Sequence, residues 1–199
     1  MKNFRSIKGT HDILPENSYK WRHLESIVHQ VCAQFGYQEI RTPIFEQNKL
    51  FSRSVGEESD IVTKEMYSWE DKKNSFLTLR PELTAPVARA YNQHNLGNLS
   101  PIHRFYYIGP LFRRERPQKG RQRQFHQFGI EAFGSNFAEQ DAEIIALAWY
   151  LLSHFGLANK IDLQLNSIGT SKCRSEYRNA LKQFLKPHFD ELSEISKGR

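Results

Sequence analysis

Cysteine is nearly absent. The chain of 199 residues carries two, Cys32 and Cys173, with no Cys-x-x-Cys between them, so neither a disulfide framework nor a zinc site organises the fold. The eight histidines are scattered, no His-Glu-x-x-His occurs, and no protein metal site is expected. There is no long apolar run and no N-terminal signal pattern. A cytoplasmic protein without a membrane partner is therefore expected. A Walker Gly-x-x-x-x-Gly-Lys-Ser/Thr and a Gly-x-Gly-x-x-Gly are both missing, so any bound nucleotide must be held by side chains on a sheet rather than by a glycine loop. No repeat, low-complexity tract or linker interrupts the chain.

What is present is ordinary in bulk and unusual in one place. The length suffices for one domain with a real core. Fourteen Phe and eight Tyr make that core largely aromatic. The net charge of +6 suits a polyanionic partner. The charge is concentrated: Arg113, Arg114, Arg116, Lys119, Arg121 and Arg123 crowd one stretch with only Glu115 among them.

In order, Phe4 to Pro15 reads as an irregular arm with turn formers at Gly9, Asp12 and Pro15. A helix capped by Asn17 or Ser18 follows to about Phe35, with Trp21, Leu24, Ile27, Val28, Val31, Cys32 and Phe35 on one stripe and Gly36 as the stop. Tyr37 to Pro43 is a short strand that Pro43 confines to an edge or an interface. Glu46 to Arg53 reads as a short helix, Ser54 to Lys64 as a polar mobile segment, and Met66–Trp69 and Ser75–Arg80 as a hairpin. Thr84 is the expected cap of a helix from Ala85 to Asn95. Glu82, just before it, either reaches into a site or complements the positive helix end. Asn136 and Glu139 suggest a capping box for a helix from Ala138 to Phe155 that buries Ile144, Ile145, Ala148, Leu151, Leu152 and Phe155. Ile161, Leu163 and Leu165 alternate with polar residues as a strand. A last helix runs from about Ser171 to Leu185, and the polar tail from Asp190 has no element. This order indicates an α+β fold, a mixed, mostly antiparallel sheet backed by helices.

The focus is Arg104 to Gly134, two strands joined by the basic loop. Strand side chains alternate faces. Arg113 and Glu115 share one face, as do Phe125, Gln127, Gly129 and Glu131; His126, Phe128 and Ile130 take the other. If the polar sets coincide, one surface holds an arginine, two carboxylates, an amide and a ring, with an open spot at Gly129. A solvated hairpin with a charged tip is the bland alternative. Arg113 can contact a phosphate with two parallel bonds, Arg121 and Arg123 can reach distal phosphates, and Phe125 can stack on a base.

Several segments together give this chain a family likeness: Lys8-Gly9-Thr10-His11-Asp12-Ile13-Leu14-Pro15, the helix and strand ending at Pro43, Leu79-Arg80-Pro81-Glu82-Leu83-Thr84-Ala85, the central hairpin, and Asn166-Ser167-Ile168-Gly169. The chain resembles the N-terminal part of the histidyl-tRNA synthetases, class II aminoacyl-tRNA synthetases, over essentially its whole length. The resemblance implies a partial catalytic domain over residues 1–199, with motif 1 at about 17–43 and motif 2 at about 104–134. It implies ATP, Mg2+, L-histidine and tRNA(His) as partners, and a homodimer through motif 1. Arg113 would hold the ATP α-phosphate and the histidine carboxylate, Glu115 would face adenine, Phe125 would stack on it, and Arg121 and Arg123 would serve the phosphates. Glu82, Leu83, Thr84, Gln127 and Glu131 would line the histidine site, with Glu131 on the imidazole. Gln118, Lys119, Arg121 and Arg123 would approach the tRNA acceptor end.

Motif 3, with its ATP-site arginine, and an anticodon-binding domain do not occur in these residues, so they alone are expected to be weakly active or inactive. Two other readings compete. One is the histidyl-synthetase-like regulatory subunit of ATP phosphoribosyltransferase, which shares the fold without the catalysis; Arg113, Glu115, Arg121 and Phe125 together favour the enzyme. The other is an RNA-binding β-ribbon, which gives no reason for Glu82, Gln127 and Glu131.

Overall fold

A proline starts the first helix of this computed structural model, which describes residues 4–55, 65–72, 74–167 and 169–197. Helix α1 spans Pro15–Gln34 with Leu14 as an extended N-cap. Proline lacks the N–H that the first turn leaves unpaired, and its φ is already helical. The helix therefore begins ahead of Asn17 and Ser18, and neither is the cap; the Ser18 hydroxyl donates to Pro15 O at 3.0 Å. Gly36 ends the helix as expected, at φ +75°, with Gly36 N–H on Ala33 O and Tyr37 N–H on Cys32 O. Val28, Val31 and Cys32 form the buried stripe, whereas Leu24, midway along the helix, is exposed.

The chain up to Asn159 forms one unit. Strand β1 (Gln38–Glu39) is followed by β2 (Phe45–Gln47), α2 (Asn48–Val55), β3 (Tyr67–Glu70), β4 (Phe76–Leu79), α3 (Thr84–Gln93), β5 (His103–Phe112), β6 (Gln124–Phe133) and α4 (Ala138–His154). The fold is α+β, as expected, but the strands form two three-stranded sheets, β1-β5-β6 and β2-β4-β3. The first is mixed, β1 running parallel to β5. Pro43 and Pro81 supply no N–H, so no continuous ladder can run from one sheet into the other. Arg80 spans the break: its N–H donates to Ile44 O, and its carbonyl accepts from Phe112 N–H.

Other boundaries also moved. The strand expected over Tyr37–Pro43 shrinks to two residues at the sheet edge. Glu46 and Gln47 pair with β4 rather than opening a helix, because the β3–β4 hairpin offers a free edge. Of the segment expected to be mobile, Ser54 and Val55 end α2, and residues 56–64 lie outside the described residues. Thr84 is the first residue of α3, not its cap; the Glu82 carboxylate accepts from Ala85 N–H at 3.1 and 3.2 Å instead. A carboxylate has two acceptor oxygens and carries charge that suits the positive helix end. The Asn136 capping box is absent: Phe137 is the N-cap of α4, and its N–H donates to Ser135 Oγ at 3.3 Å. Leu147 and Leu151 are the buried residues of α4, and Phe155 packs against the same core; of the expected stripe Ala148 is exposed, and Leu147 takes its place.

The core lies on both faces of the hairpin. Tyr106 on the even-numbered face packs with Val28, Val31, Cys32, Leu147 and Leu151, joined by Ile108, Phe128 and Ile130. The odd-numbered face gives Phe105, Tyr107 and Leu111, packed with Leu83 and Val87 of the α3 end. Burial pushes the Cys32 thiol up to about 12, so it stays protonated and unreactive.

The residues from Lys160 on form a second unit. Helix α5 (Ser171–Leu185) matches expectation, capped by Thr170 Oγ1, which accepts from Cys173 N–H at 3.2 Å. The strand expected at 161–165 is not formed among the described residues. Alternation specifies which face is apolar, but a strand also needs a neighbour for its ladder; Leu163 and Leu165 are exposed. The tail is not featureless: a 3-10 segment (Lys186–Glu191) precedes α6 (Glu194–Lys197), whose start Ser193 supports by accepting from Ser196 N–H. No helix among the described residues is long and apolar enough to cross a membrane.

Candidate active site

The register of the hairpin decides what its faces can do. Phe105 lies opposite Glu131, Tyr107 opposite Gly129, Gly109 opposite Gln127 and Leu111 opposite Phe125. Arg113 N–H donates to Arg123 O just beyond the paired strands. Residues directly opposite in an antiparallel pair share a face. Arg113, Phe125, Gln127 and Glu131 therefore stand on one surface, and His126, Phe128 and Ile130 on the other.

At the loop end of that surface is a cavity of about 600 Å³, lined by Glu65, Arg113, Glu115, Arg121, Gln122 and Phe125 among others. Arg113 is fixed in three ways. Its Nε donates to Pro81 O at 3.0 Å, its Nη1 lies 3.8 Å from Glu115 Oε1, and its guanidinium covers the Phe125 ring, 5.1 Å from the centroid. Arg121 Nη1 lies 3.4 Å from Glu115 Oε2. That contact lacks hydrogen-bond geometry, so Oε2 remains a buried acceptor without a hydrogen bond among the described residues. Glu115 thus sits between two guanidinium groups. A polyanion entering here meets two cations held close by one carboxylate, a layout suited to exchanging partners without burying unpaired charge.

At the other end, Glu82 and Glu131 converge on Tyr107. Burial, ahead of the nearby Glu131 charge, raises the Glu82 carboxyl above its ordinary range. Tyr107 hydroxyl donates to Glu131 Oε1 at 3.2 Å. Gly129 does not leave the open spot anticipated from the sequence: a Cβ there would overlap the Tyr107 ring. The cross-strand tyrosine lies flat over the glycine backbone, a pairing only a residue without a side chain permits. Between the two ends, Gln127 Oε1 is buried without a hydrogen-bond partner among the described residues. An orphaned buried acceptor is costly and calls for an explanation.

Of the residues singled out in the sequence, Arg113, Glu115, Arg121 and Phe125 line the loop-end cavity. Glu82, Thr84 and Glu131 meet at Tyr107. Leu83 is buried in the core against Phe105 and Leu111, so a ligand there would meet its backbone rather than its side chain. Arg123 turns away from the cavity: its Nε donates to Glu115 O at 3.4 Å, and its backbone N–H donates to Gly9 O, tying the N-terminal arm to the loop. Gln118 and Lys119 are exposed near the loop tip, where Gln118 forms an isolated bridge with Arg121.

Two residues escaped the sequence reading. Arg80 is buried, and its Nε donates to Pro110 O at 3.0 Å and its Nη1 to Thr42 O at 2.8 Å. It clamps the chain around Pro43 against β5; burial lowers its pKa. Tyr107 is the other. An arginine between a strand and a proline was the available signal for the first; the second is revealed only by the register that sets it opposite Gly129.

Residues 9–186 match the family described as histidyl-tRNA synthetase. The chain is 54% identical over 197 residues to the histidine–tRNA ligase of Chloroherpeton thalassium and 49% identical over 198 residues to that of Protochlamydia amoebophila. These matches cover 98% and 96% of this chain but 46% of each relative, so the chain spans about half of their length. Among solved structures, apo S. aureus histidyl-tRNA synthetase matches with a TM-score of 0.76 and 37% identity, covering 99% of this chain and 46% of that one. A Bacillus halodurans structure described as an ATP phosphoribosyltransferase regulatory subunit/histidyl-tRNA synthetase matches with a TM-score of 0.66 and 29% identity over 77% of this chain and 38% of that one. With that agreement in sequence and in fold, the chain belongs to the histidyl-tRNA synthetase family.

Proposed function

We propose that the protein containing this chain is a histidine–tRNA ligase, joining L-histidine to ATP as histidyl-adenylate and passing the histidyl group to the 3′ end of tRNA(His). The observation that carries this reading is the convergence on one hairpin face of Arg113, Phe125, Gln127 and Glu131, with Glu82 brought in by α3. Arg113 bridges the α-phosphate and the amino-acid carboxylate, so attack in line on phosphorus proceeds with its charge compensated. Arg121 neutralises the outer phosphates as pyrophosphate leaves. Glu115 and Phe125 serve the adenine, and Arg123 supports the phosphate wall through the loop backbone. Mg2+ would add charge neutralisation on the phosphates themselves; among the described residues no group of three or more His, Cys, Asp or Glu could hold a metal ion.

Glu82, Thr84 and Gln127 hold the α-ammonium; the orphaned Gln127 Oε1 is an acceptor suited to that donor. The Leu83 backbone borders the same subsite, and Glu131 receives the imidazole. Gln118 and Lys119 on the loop tip, with Arg121 and Arg123, meet the acceptor end of the tRNA. Residues 1–199 form part of a class II catalytic domain, motif 1 pairs two copies, and the protein works in the cytoplasm. The regulatory-subunit reading has the B. halodurans match in its favour, but it leaves the Arg113–Glu115–Arg121 arrangement without a task.

The test is Arg113→Ala in the complete protein. Loss of a charge-compensating donor at the reacting phosphorus should lower histidine-dependent ATP–pyrophosphate exchange by about a hundredfold to a thousandfold. Near-normal exchange would remove Arg113 from the chemistry. Histidine binding by the unaltered protein with no exchange at all would favour the regulator.

A further inference from the structure

Tyr107 has no part in the assignments above, yet it stands where they meet. It is buried at 4% exposure at the middle of the hairpin, opposite Gly129. The absence of a side chain at 129 lets the phenol ring lie across the strand toward Glu131. The hydroxyl donates to Glu131 Oε1 at 3.2 Å and interacts with the Thr84 side chain on the opposite flank. Thr84 also interacts with Glu82. The groups facing Glu131 are therefore a phenol that donates to it and a second carboxylate that repels its charge.

We propose that Tyr107, seated on Gly129, is a positioning residue that holds the Glu131 carboxyl group turned so that its second oxygen accepts an N–H from the ligand ring. The inference rests on the assignment of Glu131 to the imidazole. A phenol has one proton to give, and here it goes to Oε1. Oε2 is then left as a pure acceptor. Burial, reinforced by the carboxylates, pushes the Tyr107 hydroxyl far above its ordinary range, so it remains a donor at any working pH. A ring presenting an N–H is matched. A ring presenting only a lone pair faces a negative oxygen and leaves it unpaired, which costs far more than a missing methylene would. Specificity for a nitrogen heterocycle that carries an N–H is thus built into a tyrosine–glycine pair two residues away from the carboxylate that makes the contact.

The test uses the complete protein with Tyr107→Phe, which keeps the ring and removes the donor, beside Glu131→Gln. Thermal midpoints confirm that both fold. Tyr107→Phe should raise the KM for histidine about tenfold, in line with one lost hydrogen bond to a charged group, and change the KM for ATP less than twofold. β-(2-Thiazolyl)alanine, whose ring nitrogen accepts but carries no hydrogen, serves as the probe of selectivity. Its disadvantage against histidine in the unaltered protein should narrow at least threefold in Tyr107→Phe, because the Glu131 carboxyl group, released from the hydroxyl, is no longer held turned toward a ring N–H. Equal changes in both KM values, or an unchanged thiazole ratio, would overturn the positioning role. If Glu131→Gln leaves the histidine KM untouched, the imidazole assignment itself fails; if it raises that KM while Tyr107→Phe does nothing, only the present inference fails.

Discussion

The two faces of the β5–β6 hairpin have the same length, the same backbone and nearly the same aromatic content, yet they are built to opposite rules. The even-numbered face closes on α1 and α4 through Tyr106, Ile108, Phe128 and Ile130, with Leu147 and Val31 almost wholly removed from water. Its polar exceptions are satisfied: Tyr106 hydroxyl meets His29 Nδ1 at 2.7 Å. The odd-numbered face carries Glu115 and Gln127 with buried oxygens that lack hydrogen bonds among the described residues, and Glu131, whose charge helps to raise the Glu82 carboxyl beside it. Both faces bury apolar side chains, but the even-numbered one is given over to packing. The other keeps acceptors unpaired, which a fold without a ligand to serve has no reason to retain.

Three substitutions test the contrast, beyond those at Arg113, Glu131 and Tyr107. The largest effect belongs to the packed face. Leu147→Ala empties a site with no exposure and should cost about 2–5 kcal/mol in denaturant unfolding, while the folded fraction keeps its KM for histidine. A matching rise in that KM would mean that the faces are not independent. Next comes Gln127→Ala on the open face. Because its Oε1 has no partner to lose, stability should shift by no more than about 0.5 kcal/mol, yet the KM for histidine should rise about tenfold, roughly the worth of one hydrogen bond to a charged group. Marked destabilisation would show that Gln127 is structural after all.

The smallest effect is a change of slope. The Glu82 carboxyl lies above its ordinary value, mainly through burial, so the folded state binds its proton more tightly than the unfolded chain does. That preference favours the fold fully below the ordinary carboxylate value and is lost as pH rises through the raised one. Glu82→Gln removes this dependence. The denaturation midpoint of the variant relative to the unaltered protein should therefore improve from pH 4 to pH 7. A difference that stays flat, or moves against the variant, would assign the carboxylate to capping α3 alone, through Ala85 N–H.

Much of this was legible before any coordinates. Period-two alternation put Arg113 with Glu115 on one face of the first strand and Phe125, Gln127 and Glu131 on one face of the second, because the pleat forces it; that the two sets coincide waited on the register. The helical stripe with its stop at Gly36 fixed the end of α1. What failed depended on partners that the local pattern does not specify. The Asn136 capping box is a local pattern, but Ser135 took the Phe137 N–H instead. Leu163 and Leu165 alternate correctly and still form no strand, since alternation supplies no neighbour. The open spot at Gly129 was misread because nothing local reveals that Tyr107, 22 residues earlier in the sequence, is its cross-strand partner.

The residues alone determined which side chains share a face, where proline and glycine start and stop elements, and that the basic charge gathers in one loop. These follow from backbone geometry, which each residue carries with it. The register decided the rest: that Tyr107 covers Gly129, that Glu115 stands between Arg113 and Arg121, and that Glu82 reaches Glu131. The first and last of these join segments far apart in the chain, and all exist only once burial of the even-numbered face has locked the strands against one another.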